Sequence, residues 1–358
     1  MKKVIPLLLA MLLFCTIGSG IVAAEEELII HFLDVGQADA AILQCGDEVM
    51  MIDGGESSES SLIYSYLTKT LGITRIDYMI ATHPHADHIG GLSGALNACS
   101  VEVVYSPVTS YDSKQFSSLV KYTQKQGRNL TVPEVGDSFT FGDAQVQFLS
   151  PSQTYSNIND CSIVVRITHG SNTFLFAGDA EWDAEHDMLL SGYDLSATVL
   201  KVGHHGSDTS TSYVFLREVM PQYAVISCGE GNSYGHPTEA VLSRLRDAGT
   251  QLFRTDLQGD IVCVSDGNEL TFAVEKNTDY ESIWQGADSD VSVLPPTYEE
   301  AEKPDSSAAV YIGNKKSKKF HYASCSSVKD MKEKNKVELN TREEAIEKGY
   351  VPCKNCNP

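Results

Sequence analysis

The chain has 358 residues, of which 42% are hydrophobic, and its formal net charge is −21. This length and apolar content are sufficient for two domains with buried cores. Residues 25–310 hold 14 Lys and Arg against 42 Asp and Glu, whereas residues 311–358 hold 11 against 6. The negative charge of residues 25–310 excludes attraction of nucleic acid by the overall electrostatic field of the protein. The small basic tail could still attract nucleic acid.

Residues 1–24 have the pattern of a secretory signal peptide. Lys2 and Lys3 provide a charged start, residues 7–14 are apolar, and residues 22–24 are small. The apolar run is shorter than the ~20 residues of a membrane-spanning helix, which favours cleavage near Ala24 over a retained anchor. We therefore expect a secreted, extracellular protein that has no membrane segment after cleavage.

The next part of the chain, residues 25–276, alternates short β-like runs with a few helical ones. The predicted strands are 28–35, 41–45, 49–52, 78–82, 101–105, 145–149, 162–168, 173–177, 198–202, 223–227 and 261–264. The predicted helices are 60–71, 113–126, 211–219 and 238–248. Two groups of strands with helices between them indicate stacked sheets covered by helices.

Residues 277–308 are polar and contain prolines, which predicts a linker before a compact module at 309–358.

A histidine-rich motif follows one predicted strand. THPHADHIGG, residues 82–91, places His83, His85, Asp87 and His88 within six positions. We expect an extended loop that then turns, so that these side chains project into a shared space. Imidazole nitrogen and carboxylate oxygen suit zinc, and also manganese or iron. The motif therefore predicts two divalent metal ions rather than a histidine-rich surface loop.

The His-x-His-x-Asp-His pattern resembles the signature of the metallo-β-lactamase fold superfamily. Six further motifs resemble those of its ComEC-type hydrolase group and occur in the order expected for that group. They are HFLDVGQADA (31–40), MIDGG (51–55), NDCSIVVRI (159–167), FLFAGDAE (174–181), VLKVGHHGSDTSTS (199–212) and NSYGHPTEAVLSRL (232–245). The resemblance covers nearly all of residues 28–275. It implies an α/β fold, an αββα sandwich, with a metal site at one edge of the sheets.

The resemblance also implies further site residues. Asp179 matches the aspartate that bridges the two metals, because each carboxylate oxygen can contact one ion. His204 and His205 match the last metal-binding motif, and the sequence leaves open which of them contacts a metal. His236 lies in another matched motif and is either a substrate-contacting residue or a histidine at the start of a helix.

One departure from the superfamily concerns a lone histidine that many members carry before the bridging aspartate. The matching stretch here is Asn159-Asp160, and His169 nearby lies in a predicted hairpin turn. We expect one metal to be held either by fewer nitrogens or by an Asp160 oxygen. Asp34 and Asp39 match family positions near the site, but solvated aspartates at a strand end are equally compatible with the sequence.

The expected chemistry is hydrolysis by a metal-bound hydroxide, since coordination lowers the pKa of water to about 7. Asp87 would orient the hydroxide, and His236 would protonate the leaving oxygen. Lys201 would either add positive charge toward a phosphate or be a solvated strand residue. The resemblance favours a phosphodiester substrate, with DNA as one candidate. The alternatives are an esterase for cell-wall phosphorylcholine, a lactone or lactam hydrolase, and a non-catalytic binding module with a structural metal. Nothing in the sequence indicates the oligomeric state.

The tail carries a second set of ligand-type residues: His321, Cys325, Cys353 and Cys356. One nitrogen and three sulfurs suit a structural zinc, and a core of this size benefits from such a site. The alternative is a disulfide of Cys325 with Cys353 or Cys356. The module resembles the metal-binding domain of the Ada DNA-repair protein, with His321 at the place of that family's first cysteine. A lysine run at 315–319 is either a nucleic-acid contact or a solvated surface.

Overall fold

The structure is a computed structural model that describes residues 26–277, 282–284, 311–322, 325–329, 331–339, 345 and 348–353. The predicted signal peptide, most of the predicted linker and Cys356 lie outside the described residues. Within the described ranges, no helix combines the length and hydropathy that crossing a membrane requires.

The strands of the described part are β1 (Leu28–Phe32), β2 (Ala40–Cys45), β3 (Glu48–Gly54), β4 (Arg75–Ile80), β5 (Ser100–Tyr105), β6 (Leu130–Thr131), β7 (Ser138–Phe141), β8 (Ala144–Ser150), β9 (Val164–His169), β10 (Asn172–Phe176), β11 (Val199–Lys201), β12 (Tyr223–Ile226), β13 (Gln251–Arg254), β14 (Ile261–Ser265), β15 (Leu270–Val274), β16 (Tyr311–Asn314), β17 (Lys319–Tyr322), β18 (Lys336–Leu339) and β19 (Val351–Pro352). The α-helices are α1 (Ser60–Ser65), α2 (Ala86–Ile89), α3 (Leu92–Ala98), α4 (Lys114–Lys125), α5 (Trp182–Leu190), α6 (Tyr213–Val219), α7 (Glu239–Asp247), α8 (Thr255–Gln258) and α9 (Ser326–Lys329).

Two mixed sheets form the larger part of the molecule. The first has the order β15-β14-β1-β2-β3-β4-β5-β6, and the second has the order β13-β12-β11-β10-β9-β8-β7. Their inner faces share one apolar core, in which Phe32 of the first sheet stacks on Phe176 of the second with ring centroids 5.7 Å apart. Helices α1, α3 and α4 cover the outer face of the first sheet, and α5, α6 and α7 cover the second. The predicted αββα sandwich is confirmed.

Local sequence accounts for where the covering helices begin. The side chain of Ser113 accepts a hydrogen bond from the backbone N–H of Phe116 at the start of α4. Ser212 and Thr238 cap α6 and α7 in the same way. Such caps satisfy backbone donors that have no partner within the helix.

The strands that precede the predicted ligands lie side by side. β3 pairs with β4 in parallel in the first sheet, and β10 pairs with β11 in parallel in the second. The carboxyl ends of parallel neighbours meet at the same edge of a sheet. The residues that follow these four strands are therefore carried to one edge of the sandwich.

The local conformation of the histidine motif agrees with the expectation. His85 is still extended, with φ −70° and ψ 154°, and α2 begins at Ala86, directly after it. Asp87 and His88 therefore lie on a helical turn. Gly91 closes this segment against the first sheet, because a Cβ there would stand 1.9 Å from the carbonyl oxygen of Gly54.

The tail forms a separate four-stranded sheet with the order β18-β16-β17-β19. Its small core includes Tyr311, Phe320 and Leu339. The five cysteines of the larger part are buried free thiols, at positions 45, 99, 161, 228 and 263.

Candidate metal centre

Asp179 lies at the centre of the predicted ligands and is 1% exposed. Its Oδ1 is 3.2 Å from His88 Nε2 and 3.8 Å from His205 Nε2. Its Oδ2 is 3.7 Å from the Nε2 atoms of both His83 and His204. The two oxygens of one carboxylate thus face two different sets of nitrogens, as a bridging ligand must.

We call the Oδ1 set, with Asp87, the inner site. The ligand atoms of Asp87, His88, Asp179 and His205 all lie within 4.8 Å of one another. Asp87 Oδ2 is 3.3 Å from His205 Nε2. His88 Nε2, Asp179 Oδ1 and His205 Nε2 are buried without any hydrogen-bond partner. Buried polar atoms nearly always have partners, so these converging unpaired atoms fit a cation held between them.

We call the Oδ2 set the outer site, and it includes His83, His85 and His204. The ligand atoms of His83, His85 and Asp179 lie within 4.8 Å of one another. Burial and the nearby charge of His88 hold the pKa of His83 well below its usual range, so this ring is neutral. A neutral imidazole is the form that binds a metal.

The backbone explains how two consecutive histidines reach different oxygens of Asp179. His204 has φ 49° and ψ 46°, and His205 has φ 53° and ψ 22°. Both lie in the left-handed region, which costs free energy in residues other than glycine and is concentrated at functional sites. Both rings approach the bridging carboxylate, and the groups of converging ligand atoms among the described residues include His205.

Buried carboxylates support the inner site from behind. Asp53 Oδ2 is 2.7 Å from His88 Nδ1, and Asp39 Oδ1 is 3.1 Å from His205 Nδ1. Burial opposes a charge on His88, but the carboxylates of Asp179 and Asp53 outweigh it and hold its pKa well above the usual range. Carboxylates placed behind ligand histidines fix the ring orientation and raise the basicity of the ligand.

A different pair supports the outer site. Glu181 Oε1 is 3.1 Å from His204 Nδ1 and accepts a hydrogen bond of 2.9 Å from Asn159 Nδ2. Asn159 stands where the sequence suggested a missing ligand, but it acts on the site through Glu181 and His204. Asn159 thus helps to orient Glu181 and, through it, the His204 ring.

Asp160 departs from the prediction that it replaces the missing ligand. Its Oδ1 accepts hydrogen bonds from the backbone N–H groups of Glu181 at 2.9 Å and Ala184 at 3.1 Å. Asp160 therefore caps the first turn of α5, and the metal-ligand groups found among the described residues do not include it. The nearby His169 is also away from the centre, since its Nδ1 lies 2.8 Å from Ser265 Oγ.

Lys201 also departs from its predicted role of contacting a phosphate. Its side chain is 5% exposed, and its Nζ donates to Asp39 Oδ2 over 2.7 Å. The charge is therefore already neutralised inside the sandwich. Lys201 positions Asp39, which in turn lies behind His205.

His236 lies beside the outer site, as its motif predicted. Its ring centroid is 5.6 Å from that of His204, and its Nδ1 is 3.4 Å from Gln37 Nε2. Because an amide nitrogen only donates, Nδ1 accepts and the proton of the neutral ring is on Nε2. Burial, and then the charges of His204 and His205, lower the pKa of His236 to about 4. The His236 ring is therefore uncharged at neutral pH.

Four supporting residues were not predicted from the sequence: Asp53, Asn159, Glu181 and Gln37. Asp53 carries a usable signal, because a charged residue at the end of an apolar strand within a recognised motif requires a partner. The contacts of Asn159, Glu181 and Gln37 form only in the folded chain and have no such signal in the sequence. Asp34, by contrast, lies away from the centre, with its Oδ2 3.6 Å from Lys276 Nζ.

The tail brings its own ligand residues together. The ligand atoms of His321, Cys325 and Cys353 lie within 4.8 Å of one another, and all three residues are buried. One nitrogen and two sulfurs converging in a small module fit a zinc site. The fourth predicted ligand, Cys356, is outside the described residues.

These features identify a class of protein. The model of the metallo-beta-lactamase superfamily matches residues 33–230. The chain therefore belongs to the metallo-beta-lactamase superfamily. A second model, the metal binding domain of Ada, matches residues 298–358.

Particular relatives narrow the comparison. The chain is 31% identical over 238 residues to competence protein ComA of Neisseria gonorrhoeae, covering 66% of this chain and 32% of that protein. It is 28% identical over 273 residues to ComE operon protein 3 of Bacillus subtilis, covering 71% and 35%. It is also 42% identical over 67 residues to ribonuclease Z of Salinispora arenicola, covering 19% and 20%. The chain thus spans about a third of the competence proteins, and the predicted ComEC-type relationship is confirmed.

Proposed function

We propose that this protein is a metal-dependent hydrolase that cleaves phosphodiester bonds. The observation that carries the proposal is the carboxylate of Asp179, which lies between two ligand sets, the inner of which contains buried ligand atoms without a hydrogen-bond partner. A structural metal needs one closed ligand set, whereas two adjacent sets with a shared ligand are typical of hydrolytic centres. We propose two zinc or manganese ions here and one zinc ion in the tail.

Bound divalent cations supply such a centre with water of lowered pKa and with uptake of negative charge. Side chains of the protein itself orient the water molecule and contact the substrate. Asp87 is the inner ligand with the most exposed side chain, at 29%, so its carboxylate can hold and orient a water molecule. His236 can donate its Nε2 proton in a hydrogen bond to a substrate oxygen. Lys201 and Asp53 hold ligands in place and do not contact the substrate.

Three observations support a phosphodiester as the substrate. Two relatives are ribonucleases by name, and the competence relatives share most of the matched region. The basic tail supports the same substrate class, because Lys315, Lys316 and Lys318 are exposed on the turn between β16 and β17. Positive side chains on an otherwise acidic protein suit a polyanion such as DNA.

The proposal includes action outside the cell, which the pattern of residues 1–24 supports. Export and cleavage would give a mature chain that begins after Ala24. N-terminal sequencing of protein recovered from the medium of the source cells tests this part. A chain that remains cell-associated with its first residues intact contradicts it.

A substrate panel tests the main proposal. We expect the purified protein to hydrolyse bis-p-nitrophenyl phosphate, a chelator to abolish the activity, and zinc or manganese to restore it. His85→Ala should lower kcat strongly, whereas His186→Ala, which removes an exposed histidine on α5, should not. Metal analysis should find about three ions per chain, as the two centre sites and the tail site require.

The other outcomes separate the alternatives. Hydrolysis of p-nitrophenyl phosphorylcholine, a lactone or a lactam, without phosphodiester hydrolysis, would replace the proposed substrate and keep the hydrolase. No hydrolysis in a metal-loaded protein would favour a binding module. Full activity in His85→Ala would overturn the metal-dependent mechanism.

A further inference from the structure

Three rings form a row that leads outward from the outer site. The His204 and His236 rings meet edge to face at a centroid distance of 5.6 Å. The Tyr234 ring then stacks on His236 at 5.8 Å, with an angle of 28° between the planes. Tyr234 is 71% exposed. An aromatic ring with an open surface thus stands one side chain beyond a residue that borders the metal centre.

The segment that carries Tyr234 is held firmly. The Asn232 side chain donates to the carbonyl oxygens of Gly229 and His236 and accepts from the backbone N–H groups of Tyr234 and His236. Gly235 has φ 69°, which lets the chain reverse between the two rings. The backbone around Tyr234 is therefore fixed before any ligand arrives, which lowers the entropic cost of binding.

Packing in the apolar core does not account for an aromatic side chain at position 234. Tyr234 belongs to none of the apolar clusters formed by the described residues. A large aromatic side chain in an ordered turn beside a reactive centre is well suited to contact a ligand.

We propose that Tyr234 is a stacking platform for a nucleobase of the substrate, next to the phosphodiester that is cleaved. This inference rests on the proposed function and deepens it, because it specifies a nucleotide rather than a phosphodiester of any kind. Bases stack on exposed aromatic rings irrespective of sequence, since every base has a flat π-face. A quaternary ammonium group is instead recognised by an aromatic cage, and a single ring with one face on His236 offers no cage.

Two esters with the same leaving group test the platform. Thymidine 5′-(p-nitrophenyl phosphate) carries a base and methyl p-nitrophenyl phosphate does not. In Tyr234→Ala we expect kcat/KM for the thymidine ester, relative to the methyl ester, to fall about 5- to 150-fold, as ~1–3 kcal/mol of stacking implies. Tyr234→Phe should keep the ratio, and Tyr234→Leu should lose it. Tyr64→Ala, which removes an exposed tyrosine on α1, is the matched control.

Each result decides between the proposals. If the wild type cleaves both esters and Tyr234→Ala leaves their ratio unchanged, the platform is refuted and the hydrolase stands. If Tyr234→Ala selectively loses p-nitrophenyl phosphorylcholine hydrolysis, the ring serves a quaternary ammonium group and the base is refuted. If the metal-loaded wild type cleaves neither ester, the proposed phosphodiesterase fails, and the platform falls with it.

Discussion

The inner and outer sites share Asp179 but differ in their surroundings. In the inner site both histidines are buried, His88 at 0% and His205 at 2% exposure, although the Asp87 side chain is 29% exposed. In the outer site the His83 side chain is 0% exposed, but that of His204 is 22% exposed, and the Glu181 carboxylate behind it is 18% exposed. Charges that are removed from solvent are screened less and interact more strongly. The comparison therefore predicts that the centre would hold one cation more tightly than the other.

The supporting groups sharpen this contrast. Each inner histidine has its own buried carboxylate, and Lys201 in turn fixes Asp39 behind His205. In the outer site, the supporting carboxylate found among the described residues is Glu181, which contacts His204. Because such groups set ring orientation and ligand basicity, we expect the inner cation to bind more tightly.

The largest effect should come from the shared ligand. Asp179→Asn removes a charged oxygen from both sites, so both cations should bind weakly and kcat should fall by more than about 100-fold, beyond the ~10–100-fold typical of supporting groups. Bound metal per chain and kcat on a phosphodiester measure this. Asp183→Asn, which removes an exposed carboxylate on α5, is the control. If Asp179→Asn loses only one cation, the bridging arrangement is wrong.

A smaller effect should follow from the inner support. Asp53→Asn removes the negative charge behind His88, so the affinity of the tighter cation should drop about 10- to 100-fold. Metal titration by calorimetry separates the two binding steps. The weaker step should stay nearly constant, and a selective change in that step would reverse the order of the two sites.

The smallest effect should come from the outer support. Glu181→Gln keeps the shape of the side chain but removes its charge, so the affinity of the weaker cation should drop about tenfold, the low end for supporting groups. Exchange of that cation for a competing metal should become faster. Glu218→Gln, an exposed position on α6, serves as the control. An equal loss in both steps would mean that the sites are not independently supported.

The sequence predicted the parts of the centre that lie close together in the chain or follow a recognised motif. The four ligands at 83–88, Asp179 and the histidine pair were all expected, and the structure brings them to one edge of the sandwich. Apolar runs that end in polar residues sufficed to predict most of the strands that carry these ligands. Strand β7, by contrast, is short and only partly buried, so its pattern gave no clear signal.

The supporting groups escaped prediction for a physical reason. Asp53 and His88, or Asn159 and Glu181, are distant in sequence, and their contacts depend on the register of strands that one sequence does not fix. Lys201 was misplaced because the sequence does not show that its ammonium group meets the buried carboxylate of Asp39. Asp160 was misplaced because it caps α5, a helix that begins only at Trp182, through a contact between segments that are distant in sequence.

The centre draws its ligands from both sheets, since residues 83–88 follow β4 and Asp179 follows β10. A chain in which only the first sheet has formed offers half of a binding site. Capture of a cation there would therefore come late in folding, after the histidine pair behind β11 has reached its place. A bound ion would fasten the two layers together at their open rim, so that metal occupancy would also be a gauge of whether the sandwich has closed.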